Sequence, residues 1–309
     1  MWEETMNKIA ITCGDPAGVG PEIIYDWWIK NKEKRENCII IGPEKWLAKF
    51  KEAQTGQLLE VGDTDFNLTP ALPTEQGALL AMEALEIAKQ GCYAGLYQGV
   101  VTGPISKEWM HKVGFHYPGQ TEYFAQGSGK MPVMGFVGEK MIMVLATWHI
   151  PLREVPGKLS KEILQRTIME TYKLLRLLGK ENPRIGVCGL NPHAGENGLL
   201  GSEEKWINLF LEEVKEEFSG VYGKSIPADT AFYRHLLGEF DAIVALYHDQ
   251  GLGPLKTVEF DTAVNITLGL PFVRTSPDHG TGFEIAGKGK ASSKSMNNAI
   301  ALAQKLSNN

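Results

Sequence analysis

The sequence predicts an α/β protein of two lobes, built on mostly parallel sheets with helices on both faces. Three observations predict it. Apolar, β-branched runs alternate with stretches of helical periodicity through most of the chain, the pattern of βαβ units. With 309 residues and 43% hydrophobic content, the chain can bury a core large enough for two lobes. Finally, His149, His193 and His248 each stand just past an apolar run, where open α/β sheets bind their ligands.

In chain order, KIAITC (8–13) reads as the first strand, and CGDPAGVGPEI (13–23) as a turn that opens a helix. CIIIG (38–42) is the second strand, 75–90 a helix with apolar residues at i, i+3, i+4 and i+7, and YQGVVTG (97–103) the next strand. VGFHYPGQTEYF (113–124) breaks the alternation with Gly and Pro, then starts a short helix. Beyond it, MIMVLATW (141–148), RIGVCGL (184–190), DAIVALY (241–247) and VNITLGL (264–270) are strands, and 159–179, 202–218 and 294–306 are helices. In the helix 159–179, Leu159, Ile163, Ile168, Leu174 and Leu175 form one stripe of core packing. A second break at RTSPDHGTG (274–282) sets the lobes at 1–115 plus 286–309 and at 116–285.

Composition excludes several classes. The N-terminus MWEETMNK is acidic where a signal peptide needs positive charge, and no apolar stretch approaches the roughly 20 residues of a membrane span. Cys13, Cys38, Cys92 and Cys188 form no CxxC pair, and Cys13 and Cys188 sit in strand-like runs, as buried free thiols do in a reducing compartment. A cytoplasmic location is therefore expected. A net charge of −6 without a Lys/Arg cluster argues against nucleic-acid binding, so an anionic substrate needs locally placed cations.

The three strand-end histidines point to one divalent metal. Neutral imidazoles suit Zn²⁺, Co²⁺ or Ni²⁺ better than Mg²⁺, and three protein ligands leave an open coordination position for substrate. Against this stands the plain reading of a strand-end histidine as a hydrogen-bonded structural residue. The remaining His111, His116, His235 and His279 lack the same context, and His111 and His235 are expected on the surface. In the first glycine-rich turn the spacing of Gly14, Gly18 and Gly20 is not the dinucleotide fingerprint, so a tight strand-to-helix turn is the simplest account. GFEIAGKG (282–289) has the spacing of a phosphate loop but lacks the following Ser or Thr and the leading strand, which disfavours a nucleotide hydrolase. Lys256, Asn265 and Arg274 form a basic and amide set suited to a phosphate or carboxylate, with an internal salt bridge to Asp249 or Asp261 as the alternative.

Segments spanning nearly the whole chain carry a specific resemblance: ITCGDPAGVGPEI, VTGPISK, GQTEYFA, GLNPHAGE, ADTAF, YHDQGLGPLK and VNITLGLPFVRTSPDHGTGFEIAGKGKA. They closely resemble the 4-hydroxythreonine-4-phosphate dehydrogenase family of vitamin B6 biosynthesis. The resemblance implies an isocitrate and isopropylmalate dehydrogenase-like fold and an enzyme that uses NAD or NADP to oxidise 4-phosphooxy-threonine at C3, followed by decarboxylation to 3-amino-2-oxopropyl phosphate. It assigns His149, His193 and His248 to a divalent metal, Zn favoured over Co or Mg, and Thr121, Lys256, Asn265 and Arg274 to the phosphorylated substrate. It further implies a homodimer with a shared active site, the dimer interface on the second lobe, and Asp278, His279 and Gly280 near the cofactor. The chain departs from the family where GHTE is usual and Gly119-Gln120-Thr121-Glu122 stands, replacing an imidazole by a neutral amide at a substrate-binding position.

Oxidation of a secondary alcohol needs stabilisation of the oxyanion and a proton acceptor, for which Asp229, Asp249 and Lys256 are the candidates. The nearest alternative is a related dehydrogenase acting on 4-phospho-threonate, 4-phospho-erythronate or a cyclic diol carboxylate. A phosphate acyltransferase of similar fold and a non-catalytic binding protein are the readings from other classes.

Overall fold

The computed structural model describes residues 8–51, 57–62 and 66–308, so the acidic N-terminal segment read above lies outside the described residues except for Lys8. In chain order the elements begin with β1 (Lys8–Thr12), α1 (Gly20–Lys30), β2 (Cys38–Pro43), α2 (Glu44–Lys51), β3 (Gln57–Val61), α3 (Glu75–Tyr93), β4 (Tyr97–Thr102), α4 (Lys107–Lys112) and α5 (Gln120–Ala125). They continue with β5 (Val133–Val137), β6 (Ile142–Leu145), α6 (Val155–Lys158), α7 (Lys161–Leu177), β7 (Ile185–Val187), α8 (Glu203–Glu217) and α9 (Ala228–Leu236). The last are β8 (Ala242–Ala245), α10 (His248–Glu259), β9 (Val264–Leu268), β10 (Val273–Pro277) and α11 (Lys294–Ser307).

Two compact units result, Met1–Lys130 with Leu270–Asn309, and Met131–Gly269. These boundaries differ from the expected 115/116 and 285/286. Arg274 on β10 lies in register with Val100 on β4, which ties 273–277 to the first unit. In that unit the strand order is β3-β2-β1-β4-β10, with every neighbouring pair parallel. In the second unit the order is β9-β5-β6-β8-β7. There β6, β8 and β7 run parallel, whereas β5 is antiparallel to both β6 and β9, so the sheets are mostly rather than wholly parallel.

Alternation along β8 shows why its run is apolar throughout: the strand is covered on both faces. Ala242 and Val244 join the core formed with Leu164, Ile168 and Leu175 of α7 and Ile207, Phe210 and Leu211 of α8. Ile243 and Ala245 join Phe232 of α9 and Leu255 of α10 on the other face. The expected stripe on α7 is confirmed, since Ile168, Leu174 and Leu175 are buried and Ile163 packs against the same core. Ser160 caps this helix by accepting from the Ile163 backbone N–H. All four cysteines are free and buried. Among the described residues, no helix is long and apolar enough to cross a membrane.

Candidate functional site

The second unit places the chemistry-bearing residues where β6, β8 and β7 end. His149 follows β6 in a left-handed backbone conformation, φ 49°. His248 is the first residue of α10, directly after its N-cap Tyr247. The two rings approach to 5.6 Å between centroids, which brings two of the three expected metal ligands together. His248 Nδ1 lies 2.7 Å from Asp249 Oδ1. A carboxylate oxygen accepts, so the imidazole donates from Nδ1, which leaves Nε2 as the nitrogen that can face a metal.

His193 stands apart in its backbone. It opens a run of left-handed residues, with φ 52° at His193, 52° at Ala194, 75° at Gly195, 43° at Glu196 and 57° at Asn197, inside the turn Pro192–Gly198. Left-handed backbone costs about 1–2 kcal/mol per non-glycine residue, so such a run persists only where its surroundings over-determine it. Glu204, 4% exposed, supplies the restraint. Its Oε1 accepts from the backbone N–H of Leu190 (2.9 Å) and Asn191 (2.7 Å), and its Oε2 accepts from Asn191 Nδ2 at 2.9 Å. The imidazole of His193 itself is exposed, with Nδ1 3.7 Å from Glu196 Oε2. Among the described residues, no three His, Cys, Asp or Glu side chains gather closely enough in one chain to hold an ion.

The other second-unit candidates divide by exposure. Lys256 is half-buried on α10 with its Nζ 5.1 Å from the Phe260 ring, and Asn265 is half-buried on β9 opposite Phe136. Asp229 lies exposed in the first turn of α9, and the Asp249 side chain is exposed.

In the first unit, Arg274 is 3% exposed and Thr121 is buried. Arg274 Nη2 donates to Thr102 Oγ1 at 2.7 Å and to Gln120 Oε1 at 3.2 Å, and Gln120 Nε2 in turn donates to the Gly103 carbonyl at 3.2 Å. Burial pushes the guanidinium down to about 10, partly offset by the charge of Glu122, so it stays cationic at neutral pH. These hydrogen bonds orient it. Gln120 thus holds Arg274 with one end of its amide and the main chain with the other. Thr102, in the VTGP segment at a strand end, is a partner of Arg274 that sequence reading did not single out.

The turn after β1 is a packing device. A Cβ on Gly14 would stand 2.5 Å from the Pro104 carbonyl oxygen, and Asp15 Oδ1 accepts from Ala17 N at 3.0 Å. Asp15 is itself buried, which pushes its carboxyl upward. Near the expected cofactor residues, Asp278 N donates to Ser295 Oγ at 3.1 Å and His279 Nδ1 meets the Gly280 carbonyl at 2.9 Å. His279 Nε2 is buried with no hydrogen-bond partner among the described residues, a polar atom that a bound cofactor can satisfy. His235, expected at the surface, is 7% exposed. The C-terminal turn of α9 carries it under the sheet, where Nε2 accepts from Ile142 N at 3.0 Å and Nδ1 meets the Phe240 carbonyl at 2.8 Å.

Comparison with known proteins adds to this geometry. Residues 29–303 match the family model described as pyridoxal phosphate biosynthetic protein PdxA. A 4-hydroxythreonine-4-phosphate dehydrogenase of Erythrobacter litoralis is 39% identical, over 97% of this chain and 96% of that one. The crystal structure of a 4-hydroxythreonine-4-phosphate dehydrogenase from Klebsiella pneumoniae superposes with a TM-score of 0.84 at 34% identity, covering 97% of this chain and 99% of the other. A β-decarboxylating dehydrogenase from Thermococcus kodakarensis, 15% identical, shares the fold alone with a TM-score of 0.53, covering 96% of this chain and 81% of that one.

Proposed function

Because the chain belongs to the PdxA family, we propose that it oxidises 4-phosphooxy-threonine at C3 with NAD(P)⁺ and then releases CO₂, leaving 3-amino-2-oxopropyl phosphate in vitamin B6 biosynthesis. The observation that carries this reading is the buried Arg274 guanidinium, pre-oriented by Thr102 and Gln120 beside Thr121, a receptor matched to phosphate.

His149, His193 and His248 would hold a divalent cation, Zn²⁺ being the best match to an all-imidazole set. Donor type fits, as do the 5.6 Å approach of two rings and the tautomer that Asp249 imposes on His248. When bound, the cation supplies Lewis-acid polarisation at the C3 oxygen and the nicotinamide supplies the hydride acceptor. The neighbourhood of Asp278, His279 and Gly280, with its unsatisfied Nε2, would hold the cofactor.

The chain's own residues then have separate tasks. Arg274 and Thr121 grip the phosphate and fix C3 for transfer, a positioning role. Asp249 is committed to orienting His248, so Lys256 and Asp229 are the groups for proton transfer. One of them takes the C3 hydroxyl proton as hydride leaves carbon, and a proton returns at C2 after the carboxylate departs as CO₂. Exposed Leu199 and Leu200 beside the His193 turn, and Leu209 on α8, supply apolar surface for the homodimer in which the site is shared. Four buried thiols accord with a cytoplasmic setting.

Reduction of NAD⁺ or NADP⁺ by the purified, metal-loaded protein tests the reading, with 4-phosphooxy-threonine set against 4-phospho-threonate and 4-phospho-erythronate. Turnover is expected with the first. A preference for either sugar acid overturns the substrate assignment, and no reduction with any of them overturns the dehydrogenase.

A further inference from the structure

A buried polar chain links the segments that lead into the three histidines, and none of the binding or proton-transfer steps uses it. Gln250, 9% exposed, sits two residues after His248 on α10. Its Oε1 accepts from the Leu246 backbone N–H at 2.7 Å, and its Nε2 donates to the Gly189 carbonyl at 2.8 Å. Thr147, also buried, donates from Oγ1 to the Leu246 carbonyl at 2.7 Å. The chain therefore passes from Thr147 through Leu246 and Gln250 to Gly189. Thr147 lies two residues before His149, Leu246 two before His248 and Gly189 four before His193. Strand order explains the geometry, since β8 lies between β6 and β7: Gln250 reaches the β7 side at Gly189, and Thr147 reaches across from the β6 side to Leu246.

An apolar residue would fill this space without desolvating an amide, yet both ends of the Gln250 amide are matched by main-chain groups that loop ends otherwise leave unpaired. The backbone before His248 and before His193 is thereby tied to Gln250 itself, and Thr147, before His149, is tied to it through Leu246. We infer that Gln250 is a positioning residue that sets the three imidazoles relative to one another, an inference that rests on the reading that they serve one cation.

Two variants and two measurements test it. Gln250→Met keeps length and removes both hydrogen bonds, and Thr147→Val removes one link only. Hydrogen–deuterium exchange on the ion-free protein reads the coupling, and a Co²⁺ titration reads its consequence. For Gln250→Met, exchange speeds up together in 144–150, 187–198 and 244–251 while α7 is unchanged, and Co²⁺ affinity falls by about 10- to 100-fold. Acceleration confined to 244–251, or Co²⁺ affinity within about twofold of wild type, overturns the inference. Should Gln250→Met fail to fold, Thr147→Val decides: exchange must rise in both 144–150 and 244–251, and unchanged exchange overturns the proposal. Failure of the wild type to bind Co²⁺ would sink the metal reading instead, and the exchange pattern would still decide the role of Gln250.

Discussion

Arg274 shows what a single residue contributes and how much of that the sequence discloses. A cation at the start of an apolar strand needs a partner, and this much is legible from VRTSP. The partners are not, because Thr102 and Gln120 are 172 and 154 positions away. Replacing Arg274 by Lys keeps the charge and removes the planar guanidinium, whose Nη2 donates to both Thr102 and Gln120. The expected result is a rise in KM for the phosphorylated substrate of about 10- to 100-fold, from the loss of charged hydrogen bonds, with KM for NAD(P)⁺ unchanged. Equal effects on both would assign Arg274 to the cofactor or to structure. His193 makes the opposite case. Its side chain is 64% exposed, so His193→Ala should leave the melting temperature within a few degrees while abolishing turnover and bound metal. Metal analysis showing full occupancy would remove His193 from the ligand set.

At the scale of elements, the strands seen in advance include all three that end at the histidines, because a β8-type run covered on both faces is apolar at every position. β5, β10 and β3 were not visible. VMGFV follows a Gly- and Pro-bearing stretch and runs antiparallel, outside the βαβ rhythm, while VRTSP carries Arg and Pro and reads as a break. The turn at His193 was not visible in advance, since Pro, Gly and Asn in NPHAGENG favour irregular backbone without specifying a left-handed run. Its stability depends on Glu204. Truncating Glu204 to Ala would leave the half-buried N–H groups of Leu190 and Asn191 without their carboxylate partner, a loss of about 1–3 kcal/mol, read as a lower urea midpoint with unchanged m-value. Gly195→Ala should be destabilising for two reasons, its φ of 75° and a Cβ that would stand 2.5 Å from Glu204 Oε2. A variant as stable as wild type at either position would show that the turn holds itself.

For the whole molecule, the α/β class and mostly parallel sheets follow from alternation alone, but the unit boundaries do not. They depend on β10 pairing with β4, a contact between distant segments. His235 was misjudged for a similar reason. On its helix it looks polar and exposed, and only packing against β6 buries it. That burial makes stability depend on pH in a predictable direction. Desolvation holds the imidazole below its ordinary value, opposed by the Phe240 carbonyl and by the charges of Asp241 and Glu259, and reinforced by Lys180. The unfolded chain therefore binds a proton near pH 6.5 that the folded chain refuses, so stability is complete above about 6.5 and falls as pH drops below it. Asp241 does not contribute in that range. Although burial raises it, its hydrogen bonds with Arg184 and Lys180 prevail and hold it at about 2, so its stabilisation is lost only below about 3.9. Asp15, pushed up by burial, acts with the opposite sign and gains stability as pH falls toward about 3.9. Comparing wild type with His235→Leu at each pH cancels Asp15 and isolates the imidazole. At pH 7.5 the variant should be the less stable, since Ile142 N and the Phe240 carbonyl lose their partner. The gap should narrow at pH 5.5, because only the wild type must release a proton to fold; a gap constant across urea titrations at both pH values would remove His235 as the source.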